Sequence, residues 1–147
     1  MSEQDPKEIA RRYYEEIFQR RNLDALDQII SPDFRGYSAS FGEYTRKDMR
    51  RDIQRDHDNM PTDEIIIDEQ IAEGDRVTTR WTYRWKHDAS LFGEKPTHRW
   101  LSMEGVHIDQ IADGRIVQRW EVKDFFGVAK QLDLAVGPAI KAGSRIE

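Results

Sequence analysis

The sequence predicts an α+β fold, with amino-terminal helices packed on one face of a curved, mostly antiparallel sheet. Three observations predict it. Apolar residues in the first sixty positions recur at helical spacing behind two capping signals. After Pro61 the period changes to two, in long runs joined by short turns. The order is helices first and strands afterwards, not the alternation of an α/β chain. Three helices cannot cover a broad bent sheet completely, so a cavity is expected between the two layers. At 147 residues the chain fits a single domain, placed at 1–135, with a tail at 136–147.

Asp5-Pro6-Lys7-Glu8 opens the first helix: Asp5 can cap, and Pro6 suits the first helical position. Ile9, Ala10, Tyr13, Ile17 and Phe18 form its apolar side as far as about Arg21. A short second helix carries Leu23, Leu26, Ile29 and Ile30 inward and stops at Ser31-Pro32. Phe34 to Phe41 reads as a loop or short strand. Thr45-Arg46-Lys47-Asp48 caps a third helix, to about Asn59, with Met49, Ile53 and Met60 as a thin apolar stripe. Its arginines (46, 50, 51 and 55) and Lys47 are interleaved with Asp48, Asp52, Asp56 and Asp58, so a self-neutralising face fits better than an anion site.

Glu64 to Ala72 is the first long strand, with Ile65, Ile67 and Ile71 expected on one face. Glu73-Gly74-Asp75 turns it into Arg76–His87, where Val77, Thr79, Trp81, Tyr83 and Trp85 alternate with polar residues. The three aromatics could stack on a ligand, but core packing is the plainer expectation. Asp88 to Pro96 is a connecting loop. A strand over Thr97–Ile111 and a second hairpin follow, then a helix from about Asp124 to Leu134.

The second hairpin carries the chemistry. Ala112-Asp113-Gly114 suits a three-residue loop with Gly114 in the left-handed conformation. That register sets His107 opposite Arg119 and Gly105 opposite Glu121. His107, Arg119, Glu121 and Gly105 then share one face, and Val106, Ile108, Ile116, Trp120 and Val122 the other. A two-residue turn would shift the register by one and bring His107 beside Trp120. The longer loop is preferred because it separates polar from apolar. Alternation alone leaves open whether the polar face meets water or lines a pocket.

Composition excludes several classes. There is no cysteine, so neither disulfides nor thiolate chemistry is available. Net charge is −5, which disfavours nonspecific nucleic-acid binding. Met1–Lys7 shows no signal segment and no apolar run approaches a membrane span, so a cytoplasmic location is expected. The four histidines show no paired metal-ligand spacing, and no metal is expected. Nucleophile elbows, phosphate loops and dinucleotide fingerprints are missing.

The strand and turn residues support a resemblance. Glu73-Gly74-Asp75-Arg76-Val77 with Trp81-Thr82 is followed by Phe92-Gly93, Pro96-Thr97, and Ile111-Ala112-Asp113-Gly114-Arg115-Ile116-Val117. Trp120, Asp124, Gly127 and Gln131-Leu132 come after. Together with Tyr14-Glu15-Glu16 and Asn22-Leu23-Asp24-Ala25-Leu26, these resemble the SnoaL-like polyketide cyclases of the nuclear transport factor 2-like superfamily, from about Ile9 to Leu132. The resemblance implies a cone-shaped α+β barrel, a homodimer joined through its sheets, and an apolar pocket for a small-molecule substrate. It also implies cofactor-free intramolecular aldol closure. Carried across, the acid/base carboxylate is Glu121 and the histidine of the partner strand is His107. Arg119 stands where the family has a histidine, and Glu121 where it has aspartate. Glu121 is thus expected to remove a carbon-bound proton, with His107 and Arg119 holding the developing enolate oxygen. An Arg119 guanidinium in hydrogen-bond reach of Glu121 would hold that carboxylate ionised. Asp124 is the reserve acid, though a helix cap suits it better.

Two rival readings remain. One is an isomerase or epoxide-hydrolase-like enzyme on the same fold; the hydrolase would need a second pocket carboxylate, for which Asp109, on the face of His107, is the near candidate. A non-catalytic binding or dimerisation module would show a closed pocket, or an Arg119–Glu121 pair that merely neutralises itself.

Overall fold

The computed structural model describes residues 5–134, so the expected tail at 136–147 lies outside the described residues. The first helix, α1 (Pro6–Arg12), is capped by Asp5, whose side chain accepts from the Lys7 N–H. It runs on as a π-helical segment over Tyr13–Gln19. The wider turn presents two adjacent residues, Tyr13 and Tyr14, to the interior together. A single 3-10 turn, Leu23–Ala25, leads into α2 (Leu26–Ile29).

β1 (Ile30–Ser38) follows immediately, and β2 (Gly42–Thr45) turns back on it. The region expected as a loop or short strand, Phe34–Phe41, supplies the second half of this nine-residue strand, which begins at Ile30, a residue expected in the second helix. Pro32 falls where pairing lapses between Ile30 and Arg35, the kind of site where a strand tolerates a missing donor. α3 (Arg46–Asn59) starts at the expected capping box of Thr45 and Asp48 and buries Met49 and Ile53. Arg51 and Arg55 pair with Asp48, Asp52 and Asp56, and Arg46 and Arg50 with Asp27. The arginines of the helix are thus neutralised partly by its own aspartates and partly by Asp27 of α2.

The remaining strands are β3 (Glu64–Glu73), β4 (Arg76–Lys86), β5 (Trp100–Ala112) and β6 (Arg115–Lys123), followed by α4 (Phe125–Gln131). The sheet order is β2-β1-β6-β5-β4-β3; β1 runs parallel to β6 and all other pairs are antiparallel. The sheet stays open, with β2 and β3 at its edges. β4 alternates as expected, and Val77, Thr79, Trp81, Tyr83 and Trp85 are all buried. In β3 the register slips between Ile67 and Glu69. That bulge turns Gln70 inward, where it bonds Thr79, and leaves Ile71 exposed, contrary to the expected apolar face.

The second hairpin departs most from the expected geometry. Its loop has two residues: Ala112 pairs with Arg115, and Asp113 (φ 52°) and Gly114 (φ 77°) form a primed turn. A bulge at Val117 then restores the lost step, because Ile111 pairs with Ile116 but Gln110 with Gln118. His107 consequently faces Glu121, and Asp109 faces Arg119. The four residues expected to share a face do share it, and Asp109 joins them. Ile116, expected on the face of Ile108, Trp120 and Val122, is instead buried on the opposite face because it precedes the bulge.

Candidate functional site

The polar face of the β5–β6 hairpin points inward. His107, Asp109, Arg119 and Glu121 are all buried, whereas Trp120 and Val122 on the opposite face are 54% and 61% exposed. Strand alternation had sorted the two faces correctly but could not say which one was inside.

Two linked units fill the inner face. In the first, Arg119 donates Nε–H to Asp109 Oδ1 (2.7 Å) and Nη2–H to Oδ2 (3.1 Å), a bidentate ion pair. The guanidinium carbon lies 3.9 Å from the centre of the Tyr13 ring, a cation–π contact. Burial pushes the Tyr13 phenol up to about 12, against the lowering pull of the Arg119 charge. In the second unit, Glu121 Oε2 lies 3.1 Å from His107 Nε2, and Tyr14 Oη lies 2.7 Å from His107 Nδ1. An ionised carboxylate can only accept, so Nε2 carries the imidazole proton and Nδ1 accepts from the tyrosine. Burial, together with the Arg119 charge, depresses the His107 pKa to about 4 and keeps the ring neutral. Burial alone would raise the Glu121 pKa. The His107 hydrogen bond and the Lys123 charge outweigh it and bring the carboxyl to about 2. Lys123 Nζ is 3.7 Å from the other carboxylate oxygen, Oε1.

The expected Arg119–Glu121 pair is therefore not what forms; Asp109 takes the guanidinium fork. Tyr14 and Asp109 complete the network, and neither was among the expected catalytic residues. Asp109 was signalled by its two-residue spacing from His107. Tyr14 carried no such signal, because only the π-helical turn brings it inward beside Tyr13. Asp124 caps α4 through the Gly127 N–H at 2.8 Å and does not line the cavity.

A cavity of about 640 Å³ lies between the helices and this face. Glu121, Arg119, Tyr13, Tyr44 and Ser38 line its polar end. Apolar walls come from α3, β4, β5 and α4, among them Ile53, Trp85, Met103 and Val128. The self-paired charges of α3 border it as well. The lining thus combines apolar walls with many polar and charged groups, and the cavity is of a size that suits a small molecule. His107 and Asp109 do not line it; they stand behind Glu121 and Arg119. Among the described residues, no group of three or more His, Asp or Glu side chains could hold a metal ion, and no helix is long and apolar enough to cross a membrane.

Comparison with solved structures gives the same fold. IdmH, a proposed polyketide cyclase of Streptomyces antibioticus, is 24% identical, with a TM-score of 0.79 over 88% of this chain and 99% of its own. AclR, a proposed hydroxylase of Streptomyces galilaeus, is 23% identical, with a TM-score of 0.79 over 93% of this chain and 89% of its own. A proposed polyketide cyclase of Acidithiobacillus ferrooxidans is 23% identical, with a TM-score of 0.76 over 90% of this chain and 98% of its own. No curated protein matches the sequence. The model of the SnoaL-like polyketide cyclases matches residues 8–132, most of the chain from α1 to the end of α4. The chain belongs to the SnoaL-like polyketide cyclase family.

Proposed function

We propose that this protein is a cofactor-independent acid/base enzyme of the aldol-cyclisation type, acting on a small, largely apolar carbonyl compound. The observation that carries the proposal is Glu121: a buried carboxylate in the wall of the cavity, with one oxygen held by a neutral imidazole. Glu121 takes the proton from a carbon beside the substrate carbonyl. The enolate carbon attacks a second carbonyl of the same molecule, and the resulting alkoxide recovers the proton from Glu121. His107 acts through Glu121. Its two ring nitrogens are committed to Tyr14 and Glu121, so it orients the base and does not bind the enolate. Arg119, held by Asp109, supplies fixed positive charge at the cavity wall.

The low proton affinity of Glu121 narrows the substrate class. The His107 hydrogen bond and the Lys123 charge lower the proton affinity of this base, which suits a carbon acid that is itself activated, as between two carbonyl groups. Asp109 is bound to Arg119 away from the cavity, which weighs against the hydrolase arrangement. The cavity reaches Glu121, and Arg119 pairs with Asp109 and not with Glu121, which weighs against a purely structural module.

The exposed outer face of the sheet, with Ile108, Trp120, Val122 and Tyr37, supports a homodimer joined there. The test of the activity needs no natural substrate. Exchange of carbon-bound protons with deuterated water is followed by NMR for a set of aromatic 1,3-dicarbonyl compounds. The protein should accelerate exchange, and Glu121→Gln should reduce that acceleration by roughly 100- to 10,000-fold without unfolding. Undiminished exchange in Glu121→Gln would sink the assignment.

A further inference from the structure

Two connections beside the cavity carry the same pair of residues at their tips. Phe41-Gly42 leads out of the β1–β2 turn, and Phe92-Gly93 is the tip of a small hairpin between β4 and β5. Phe41 is 75% exposed and Phe92 48%. Both nevertheless belong to the lining of the cavity, as does Phe125, the first residue of α4. A single exposed ring needs no explanation; three that converge on one opening from separate connections do.

The backbone holds these rings deliberately. Leu91 and Glu94 exchange both N–H to carbonyl bonds, so Phe92 and Gly93 alone make the turn. Phe92 has a φ of 52° and Gly93 of 77°, a primed turn whose first position favours asparagine, aspartate or glycine. A bulky residue there is strained, and a ring left half exposed does not offset the strain by burial. Such strain gathers where a ligand is held. The Phe41 turn is fixed from the site itself. Ser38 Oγ accepts from the N–H of Ser40 (3.3 Å) and of Phe41 (3.2 Å), and Ser38 pairs with Glu121. Phe125 follows Glu121 by four positions, directly after the Asp124 cap. The three rings therefore border the Glu121 side of the cavity.

Phe125 is the middle ring. Its centre lies 5.3 Å from that of Phe41 and 6.1 Å from that of Phe92, with ring planes at 76° and 78°. Edge-to-face rings that stay exposed leave ring surface free for a further aromatic ring. A cationic group suits the place less well, because Lys86 and Lys123, the last residues of β4 and β6, line the same cavity. We propose that Phe41, Phe92 and Phe125 form an aryl subsite at the cavity mouth, which holds a flat aromatic group of the substrate while the activated carbon reaches Glu121. That orientation rests on Glu121 being the base; the subsite itself does not. The dicarbonyl portion enters first and the aromatic group stays at the rim.

The test compares two ligands by calorimetry. Benzoylacetone carries a flat ring beside its dicarbonyl; the cyclohexyl analogue carries a puckered ring of similar bulk. The full chain should bind benzoylacetone more tightly. Phe41→Leu and Phe92→Leu each keep apolar bulk at an exposed tip but remove a ring. Each should weaken benzoylacetone binding by roughly 3- to 10-fold, the range for an aromatic pair, and leave the analogue within two-fold. No preference in the unaltered protein would mean that the rings are covered by the chain itself or by a second copy, and would overturn the subsite. So would an unchanged benzoylacetone affinity in both variants, or an equal loss of both ligands. Glu121→Gln should keep the preference for the flat ring. Unimpaired carbon-proton exchange in that variant would fault the base and leave the subsite standing.

Discussion

The two faces of the β5–β6 hairpin invert the usual rule. The inner face carries an imidazole, a guanidinium and two carboxylates, all buried; the outer face carries Ile108, Trp120 and Val122, all exposed. The inner charges are tolerable because each is held. Arg119 and Asp109 satisfy each other bidentately, and Glu121 is held by His107, which is held by Tyr14. A buried ion pair of this kind contributes little net stability, but either half alone would be a large penalty. The outer face needs no such partners and is instead an unfinished surface. Polarity therefore does not identify the buried face here; completeness of hydrogen bonding does.

The largest expected effect comes from breaking the inner face. Asp109→Ala leaves the Arg119 guanidinium buried and unpaired, which should cost about 3–5 kcal/mol in denaturant unfolding. A loss below about 1 kcal/mol would mean that the pair is not buried as described.

The next effect is a pH dependence. The folded-state pKa of His107 is depressed to about 4, so between about 6.5 and 4 the unfolded chain binds a proton that the folded chain refuses. Stability should fall as the pH drops through that window. Glu121, depressed to about 2, extends the loss below about 4.5. His107→Gln keeps an amide that can donate to Glu121 and removes the titration, so it should flatten the upper part of the curve. An unchanged slope would show that His107 is not the group responsible.

The smallest effect belongs to the outer face. Trp120 packs beside Tyr37 with ring centres 4.8 Å apart and is half exposed, so Trp120→Lys should change monomer stability by no more than about 1 kcal/mol. Light scattering after size exclusion should nevertheless show the proposed dimer shifted to monomer. A variant that keeps the wild-type mass would place the interface elsewhere.

Much of the fold was legible in the sequence because its signals are local. The Thr45–Asp48 capping box, the Asp5-Pro6 helix start and the alternation of β4 each depend on residues within a few positions of one another. β1 was harder to read. Its pairing with β6 is parallel and long-range, and Ser31-Pro32 resembles a helix stop more than a strand. The site was legible as a set of residues but not as a set of bonds. His107, Arg119 and Glu121 stood out by period, but their partners depended on the bulge at Val117 and a π-helical turn, which shift side chains by a single residue.

The bulge at Val117 has a consequence beyond local geometry. With a two-residue turn at Asp113-Gly114 and no extra residue, His107 would face Trp120, and Arg119 and Glu121 would swing to the outer surface. The inner network therefore depends on the bulge, which absorbs one residue between the turn and the Arg119-Trp120-Glu121 triplet. Deleting Val117 would leave Gln110 opposite Gln118 and His107 opposite Glu121 in a regular ladder, whereas drawing Val117 into the ladder would turn the chemistry inside out without touching any ionisable group.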